Sequence, residues 1–289
     1  MMINKHILPA VALLFTGIAL FVTCTESGGG RRSARIDFDS IVVKQRMPLL
    51  QENDTTLPFA QAEVTFIYPL KFRDAESLTR LQQIFVGTFF GDTAADTLSP
   101  REAVNRYMEE YTTRYGALSN NFYEDKARLN GEVPAWYWYT MSNRNKILFQ
   151  NDSLLSYAVE YSDYEGGAHG SYRITYVNID LNDLTTLSEE DLFVPDYFKP
   201  LTEKIVHQLM KKYAAGEPDS LLMRGFFTLE DIMPNNNFWL DGEGIHYSYN
   251  QYEIAPYSMG VINVTIPYSE LTDILLPDGI IPGLFLKEQ

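Results

Sequence analysis

The sequence predicts an α+β fold with two packed subdomains, each built from an antiparallel or mixed sheet and one or two helices. Runs of strand-like alternation are interrupted by single amphipathic segments, so strands and helices do not alternate as they do in a parallel βαβ sheet. No repeat of fixed period is present along the 289 residues. Aromatic residues make up 13% of the chain, which is ample for a hydrophobic core.

The amino terminus has the pattern of an export signal. Lys5 precedes an uncharged apolar run over residues 7–22, which is shorter than the ~20 apolar residues of a bilayer span. Cys24 is the only cysteine, so an internal disulfide is excluded. Its position after the apolar run resembles the lipobox of bacterial lipoproteins, in which the cysteine is lipidated and becomes the first residue. An uncleaved anchor with a free thiol is the alternative.

Residues 1–23 are therefore expected to be a signal peptide, and residues 24–58 a tether and N-terminal segment. The tether begins with a polar, glycine-rich stretch over residues 25–30, a composition typical of flexible linkers. Lipidation of Cys24 would hold the folded part at a membrane of the bacterial cell envelope. Because no aspartate-rich export signal follows Cys24, the periplasmic face is favoured over the cell surface.

The net charge limits the possible partners. The chain carries a formal charge of −15, and loss of Lys5 with the signal takes it to −16. Such a surface repels phosphates, so we expect no nucleic-acid partner. It would attract a basic protein, although solubility alone is a sufficient reason for the acidity.

The first predicted elements are a strand and a helix. Residues 62–72 alternate between apolar and polar side chains, the period of a half-buried strand, and Pro69 argues for an edge position. Apolar residues from Leu78 to Phe89 then recur at helical spacing, and Gly91 can close that helix.

The next helix has the clearest start signal in the chain. Ser99 supplies a capping hydroxyl, Pro100 fits the first helical position, and Glu102 can reach back to the cap. The helix is expected to end at Gly116. Four of its side chains recur at intervals of four residues: Ala103, Tyr107, Tyr111 and Tyr115. We interpret this stripe as the packed face of a surface helix, with a sugar-binding platform as the alternative.

From Trp136 the pattern is rich in strands. Strand-like runs cover residues 135–141, 146–150, 154–164 and 172–181, with a turn over residues 151–153. An amphipathic helix is predicted over residues 198–215, with Gly216 at its end. The last third predicts a hairpin over residues 238–249, a strand over residues 261–266 and a short helix over residues 269–275.

Two segments, residues 164–193 and 238–271, carry a resemblance to a known family. They are similar to the bacterial extracytoplasmic domain of unknown function 3298, known from the carboxy-terminal part of the RsiV anti-sigma factor and from the non-catalytic part of the PdaC peptidoglycan deacetylase. Residues 62–161 resemble, more weakly, the smaller domain that precedes it in those proteins. The resemblance implies a small N-terminal α+β domain over residues 59–163 and an RsiV-like domain over residues 164–289.

The resemblance also implies candidate site residues. The family's glycine-histidine turn maps onto Gly166, Gly167, His169 and Gly170, and its tyrosine-rich loop maps onto Tyr252, Glu253, Ile254, Pro256 and Tyr257. Exposed tyrosines and a proline suit a recognition loop, and the family implies an ectodomain that binds something outside the cytoplasm. The structural alternative is that the glycines supply backbone angles with positive φ, that His169 fixes the turn and that the tyrosines close the core.

An enzymatic function has weaker support. The sequence contains no HExxH motif, no cysteine-based zinc spacing and no G-x-S-x-G elbow. What remains is a long-range pairing of His169 with Asp163, Glu165, His246 or Glu253, because a histidine beside a carboxylate can act as a general acid or base. Such a pairing would make the chain a peptidoglycan hydrolase or deacetylase.

Metal binding is the other site chemistry that the sequence raises. The acidic run Glu189–Asp191 offers clustered oxygens to calcium. Ser188 precedes this run, and a helix amino-terminal cap is therefore the better interpretation. We expect neither a metal nor another cofactor.

The sequence and the resemblance together favour a non-catalytic, lipid-anchored binding module of the cell envelope. Its expected ligand is a cell-wall glycan or a wall-active protein such as lysozyme, which RsiV senses with this region. A scaffold lipoprotein without a small ligand is the third reading.

Overall fold

The computed structural model describes residues 35–50, 56–91 and 97–285. These residues form two packed subdomains, one around a six-stranded mixed sheet and one around a three-stranded antiparallel sheet. The predicted α+β class is therefore confirmed. Cys24 and the predicted signal peptide lie outside the described residues. Within the described ranges, no helix is long and apolar enough to cross a membrane.

The larger sheet follows the order of the chain. Its strands are β1 (Asp37–Pro48), β2 (Phe59–Lys71), β3 (Tyr139–Gln150), β4 (Leu154–Tyr164), β5 (Ser171–Asp180) and β6 (Thr185–Thr186). Neighbouring strands pair antiparallel except β2 and β3, which run parallel. A parallel pair needs a crossover connection, and the chain supplies one with three helices between β2 and β3.

The three crossover helices begin and end at recognisable signals. They are α1 (Ala75–Phe90), α2 (Pro100–Gly116) and α3 (Ser119–Arg128). Gly91 closes α1 in the left-handed conformation with φ of 67°. Ser99 and Glu102 form a reciprocal capping box at the start of α2. Both predicted boundaries are confirmed, because each depends on residues that lie next to one another in the chain.

One face of the larger sheet packs against these helices. The inward side chains of β2 are fully or nearly fully buried: Ala60, Ala62, Val64 and Phe66. The ring of Phe85 on α1 stacks on Tyr157 of β4 with centroids 4.4 Å apart. Tyr111 and Tyr115 on α2 are also buried, and burial raises the pKa of Tyr111 to about 12. The tyrosine stripe is therefore the packed face of its helix.

The smaller subdomain has its own core. Its strands and helices are β7 (Phe238–Leu240), β8 (Gly244–Tyr249), β9 (Ile262–Pro267), α4 (Phe198–Tyr213) and α5 (Ile280–Phe285). Leu201, Ile205 and Leu209 form the buried stripe of α4 and belong to the same hydrophobic cluster as the inward residues of β8 and β9. Ala214, and not Gly216, takes the left-handed conformation that ends α4.

Asparagine side chains join the two subdomains. Asn178 on β5 is 2% exposed. Its amide donates to the carbonyl oxygen of Phe238 at 2.8 Å and accepts from the N–H of Leu240 at 3.1 Å. A second asparagine, Asn237 just before β7, bonds back to β5. Its side-chain amide oxygen accepts from the N–H of Tyr176 at 3.0 Å. A side-chain amide has the donor and acceptor of a peptide group, so β5 and β7 are bonded without pairing as strands.

The expected domain limits can be compared with these elements. The limit between residues 163 and 164 falls at the end of β4, inside the six-stranded sheet. Strand β1 lies within residues 24–58, the segment expected to hold the tether. Leu154, at the start of β4, belongs to the hydrophobic cluster of the smaller subdomain.

Three local predictions were wrong. The edge position expected from Pro69 is wrong, because β2 lies between β1 and β3. Pro69 is tolerated there because β3 pairs only with Ala60–Thr65, so the proline removes no hydrogen bond from that pairing. Residues Ala135–Tyr137, the start of the strand-like run predicted over residues 135–141, form a 3₁₀ turn. The rest of that run and the run over residues 146–150 belong to one continuous strand, β3. A single 3₁₀ turn at Tyr268–Glu270 stands where a short helix was expected.

Candidate functional site

The glycine-histidine turn connects β4 to β5 and depends on its glycines. Gly166 and Gly167 have φ values of 76° and 148°, which cost other residues steric strain. A Cβ atom on Gly166 would lie 2.5 Å from the Cα atom of Trp136. A Cβ atom on Gly170 would lie 2.5 Å from the carbonyl oxygen of Asp163. The bare backbone therefore allows the turn to fit closely against the chain around it.

The second loop, residues 250–257, is folded tightly around a strained residue. Tyr252 has a φ of 68°, which is rare for a bulky side chain and is found preferentially at functional sites. Its N–H donates to the carbonyl oxygen of Ala255 at 3.1 Å. Ile254 and Ala255 are buried, whereas the Tyr252 side chain is 56% exposed. The loop is thus anchored inward and presents one tyrosine outward.

The two loops meet at His169, which is exposed. Its imidazole stacks on the ring of Tyr257, with centroids 4.0 Å apart and planes 26° apart. Nδ1 donates to the carbonyl oxygen of Gly170 at 3.0 Å, so Nε2 accepts from the hydroxyl of Tyr252 at 3.3 Å. We call His169, Tyr252 and Tyr257 the loop-pair cluster. His169 and Tyr252 are 83 residues apart in the sequence.

Polar side chains hold the second loop against the larger sheet. The amide of Asn250 accepts from the N–H of Ile174 at 2.8 Å and donates to its carbonyl oxygen at 3.1 Å. Glu253 accepts from the amides of Asn250 and Asn235 at 3.3 and 3.2 Å. Pro256 directly precedes the 3₁₀ turn that carries Tyr257. Because Ile174 lies on β5, just after the glycine-histidine turn, these bonds fix one loop relative to the other.

The predicted pairing of His169 with a carboxylate is not assembled in the part of the chain that the structure describes. The two ring nitrogens of His169 contact a backbone carbonyl and a tyrosine hydroxyl. Asp163 accepts from the hydroxyl of Ser171, and Glu165 lies 3.9 Å from the guanidinium of Arg114. The geometry therefore gives His169 a stacking and hydrogen-bonding surface but no acid–base partner.

His246 lies elsewhere, on β8 of the smaller sheet. Its Nε2 is 3.0 Å from Oδ1 of Asp241, its Nδ1 accepts from the hydroxyl of Thr265 at 2.8 Å, and its ring stacks on Trp239 at 4.0 Å. Burial raises the pKa of the Asp241 carboxyl, but the contact with His246 and two backbone N–H groups of the turn outweigh it, so the pKa lies below its ordinary value. We infer that Asp241, His246 and Thr265 together hold the β7–β8 turn against β8 and β9.

The acidic run after β6 is a cap. The N–H and hydroxyl of Ser188 donate to Asp191 at 2.8 and 2.7 Å, so the predicted cap is present, at the start of a 3₁₀ turn over Glu189–Asp191. Glu189 is 2% exposed and accepts from the N–H of Asn236 at 2.9 Å and the hydroxyl of Tyr197 at 3.2 Å. Burial nevertheless raises the pKa of Glu189. Across the described ranges, no group of three His, Cys, Asp or Glu side chains is placed to hold a metal ion.

The fold is similar to that of a solved protein from Bacteroides fragilis, a member of the DUF3298 family. The two chains are 32% identical with a TM-score of 0.81, and the match covers 87% of this chain and 97% of the other. This chain belongs to the DUF3298 family. A DUF3298 protein from Pseudomonas aeruginosa shares the fold at 17% identity, with a TM-score of 0.56 over 85% of this chain and 96% of the other. Among curated proteins, none matches this DUF3298 chain.

Family models match both parts of this DUF3298 protein in the expected order. The model described as "Deacetylase PdaC" matches residues 91–172, and the model described as "Protein of unknown function (DUF3298)" matches residues 190–269. The predicted resemblance is confirmed. The glycine-histidine turn lies in the first match and the second loop in the other, so the loop-pair cluster is made by one loop from each.

Sequence analysis missed two residues that position these loops. Trp136 provides the surface against which Gly166 lies, and no sequence signal pointed to that contact. Asn250 fastens the second loop to β5. A backbone contact of Asn250 could have been predicted, because an asparagine at the end of a strand often bonds a neighbouring backbone.

Proposed function

We propose that this protein is a non-catalytic binding module of the bacterial cell envelope, tethered through a lipidated Cys24 on the periplasmic face of a membrane. Its loop-pair cluster recognises a cell-wall glycan or a wall-active protein such as lysozyme. The observation that carries the proposal is the meeting of two loops that present His169, Tyr252 and Tyr257 together at the surface.

The chemistry of the cluster supports recognition. Tyrosine and histidine offer large, amphipathic contact areas with few rotatable bonds, which keeps the entropy cost of binding low. Tyr252 is held in a strained conformation, and the loop around it is fastened by Asn250 and Glu253. A site that is already ordered loses little freedom when a ligand binds.

Exposed apolar side chains lie beside the second loop. The N–H of Phe227 donates to the carbonyl oxygen of Ile254 at 3.0 Å, and the Phe227 side chain is 44% exposed. Met233 is 41% exposed. Methionine and aromatic side chains adapt to a protein surface. Together with the charge of −15, they support a basic protein as one of the two ligand classes.

The alternative, a peptidoglycan hydrolase or deacetylase that uses His169, gains no support from this geometry. A general acid or base needs a proton-transfer partner or substrate position within hydrogen-bond reach. In the described residues, the nitrogens of His169 are occupied by Gly170 and Tyr252.

The test is calorimetry on the mature chain, made soluble by Cys24→Ser, with lysozyme and with purified peptidoglycan at two salt concentrations. Lysozyme binding should weaken with salt because the association is assisted by charge. Tyr252→Ala should weaken binding by roughly 10-fold or more, as loss of a central aromatic contact does. Tyr123→Ala on α3, where the tyrosine is 58% exposed, is the matched control and should bind normally. No binding to either ligand would contradict the proposal.

A further inference from the structure

The larger sheet carries a polar groove that the proposed function does not use. The groove has a volume of about 540 Å³ and is lined by β1, β2, β3 and β4. Ala60, Ala62 and Val64 of β2 face the helices and are buried. Gln61 and Glu63 alternate with them and therefore project from the opposite, open face. The groove lies on this open face.

The strand register arranges the groove in two rows. Residues that pair directly across neighbouring strands lie on the same face of a sheet. The first row is Arg46, Gln61, Thr140 and Tyr164, and the second is Lys44, Glu63, Ser142, Ser162 and Tyr172. At a strand spacing of ~4.8 Å, the second row crosses five strands and spans roughly 19 Å. The face is therefore long enough for an extended ligand.

Short hydrogen-bonding side chains lie in the middle of both rows, on β2, β3 and β4. Gln61 and Thr140 are exposed, and hydroxyls and amides can both donate and accept. Beside the first row, Phe59 at the start of β2 and Trp138 just before β3 meet edge to face with centroids 4.8 Å apart. At the β4 end of that row, Tyr164 donates its hydroxyl to the carbonyl oxygen of Gly167 at 3.1 Å, next to the loop-pair cluster.

Arg46 gives the groove a cation that is open to a ligand. Its guanidinium lies 3.8 Å from the centroid of the Phe59 ring and is ion-paired with no acid among the described residues. Lys44 and Arg144 on the same sheet face are each paired, with Glu63 at 2.8 Å and with Glu160. In a chain with a net charge of −15, an arginine that no acid of the described residues pairs with is a natural binding position for a carboxylate.

We propose that this groove binds an oligosaccharide that carries carboxylate groups. The hydroxyls and amides of the two rows hydrogen-bond the sugar hydroxyls, the aromatic pair Phe59 and Trp138 packs against an apolar ring face, and Arg46 binds a carboxylate. An extended peptide would need apolar pockets for alternate side chains, whereas this face presents polar groups in both rows. The site is separate from the loop-pair cluster, and the inference does not rest on the proposed function of that cluster.

The experiment compares two probes on the mature Cys24→Ser chain by calorimetry. One is the neutral tetramer of N-acetylglucosamine, and the other is the matching tetramer in which alternate sugars carry a lactyl carboxylate. The acidic tetramer should bind at least 10-fold more tightly than the neutral one. Arg46→Ala should remove that advantage, and Arg46→Lys should restore part of it. Arg128→Ala on α3, an exposed arginine paired with Glu124, is the charge-matched control and should change neither affinity.

A second variant tests the rows without touching the charge. Gln61→Ala combined with Thr140→Ala should weaken both tetramers by at least 10-fold, and because both side chains are exposed the urea midpoint should stay at the wild-type value. Tyr252→Ala should keep the preference for the acidic over the neutral tetramer, which separates this site from the loop-pair cluster. No binding of either tetramer, or binding that all the groove variants leave unaltered, would overturn the inference.

Discussion

Gly166→Ala tests whether the glycine-histidine turn is seated as the structure shows. The glycine has a φ of 76°, and this left-handed conformation costs a residue with a Cβ atom about 1–2 kcal/mol. The added Cβ would also lie 2.5 Å from both Cα and Cβ of Trp136 and 2.7 Å from its carbonyl oxygen. Backbone atoms cannot rotate out of the way, so overpacking adds about 1–3 kcal/mol.

The two costs together predict a loss of roughly 2–5 kcal/mol in the free energy of unfolding. Urea denaturation of wild type and variant measures this difference. Gly116→Ala is the matched control, because Gly116 ends α2 with no positive φ and no atom within 4 Å of an added Cβ. It should be neutral or stabilising by up to ~1 kcal/mol. A loss below ~0.5 kcal/mol for Gly166→Ala would refute the packing of the turn against Trp136.

Three further substitutions test separate parts of the fold by urea denaturation. Asn178→Ala takes a bonding partner from the buried backbone groups of Phe238 and Leu240 and should cost roughly 2–5 kcal/mol; wild-type stability would contradict the described link between subdomains. Ser99→Ala should cost about 1 kcal/mol through loss of the α2 cap. Burial raises the folded pKa of Glu189 above 4.5, so its ionisation costs native stability as pH rises past that value. The difference in urea midpoint between Glu189→Gln and wild type should therefore change in favour of the variant as the pH rises from 4.5 to 7. Midpoints that change in parallel with pH would contradict the raised pKa of Glu189.

Elements with local signals were predictable from the sequence. The capping box of Ser99 and Glu102 and the left-handed Gly91 involve residues within one turn of a helix, so their chemistry can be read from adjacent positions. The same holds for Ser188 and the acidic residues after it, where a cap was correctly preferred to a calcium site. The limits of α1, α2, α4 and the β7–β8 hairpin followed from such signals to within a few residues, whereas α3 and α5 were not predicted.

Side-chain bonds across the fold were not predictable. Asn178 bonds to β7 60 residues further along the chain, and Asn145 bonds to Ile67 78 residues before it. An asparagine that replaces a peptide group has no periodicity and no fixed partner spacing, so the sequence does not distinguish it from a turn residue. The position of Pro69 was misjudged for a related reason, because β2 pairs with β3 over only half of its length.

The candidate site was predictable in its parts but not in its assembly. The two motifs around His169 and Tyr257 were both identified as loops, yet their stacking depends on Asn250 and on the close approach of Gly166 to Trp136. The close approach of Gly166 to Trp136 leaves no trace in local sequence, and the position of Asn250 at a strand end does not identify Ile174 as its partner. The polar face of β3 is easier to predict from the sequence than the loop-pair cluster. Its side chains Thr140, Ser142 and Arg144 alternate along the strand, as the polar side of a strand does.

The most direct test of binding at the loop-pair cluster compares His169 with His207 and His246. His169 lies in the loop-pair cluster, whereas His207 and His246 lie on α4 and β8 and serve as internal controls. Imidazole NMR signals, assigned through single His→Gln variants, are followed as lysozyme or solubilised peptidoglycan is added to the Gln61→Ala, Thr140→Ala variant, in which the groove on the larger sheet is impaired. We expect the His169 signals to shift or broaden on binding while those of His207 and His246 remain unchanged. Binding detected by calorimetry that leaves the His169 signals unmoved would contradict it.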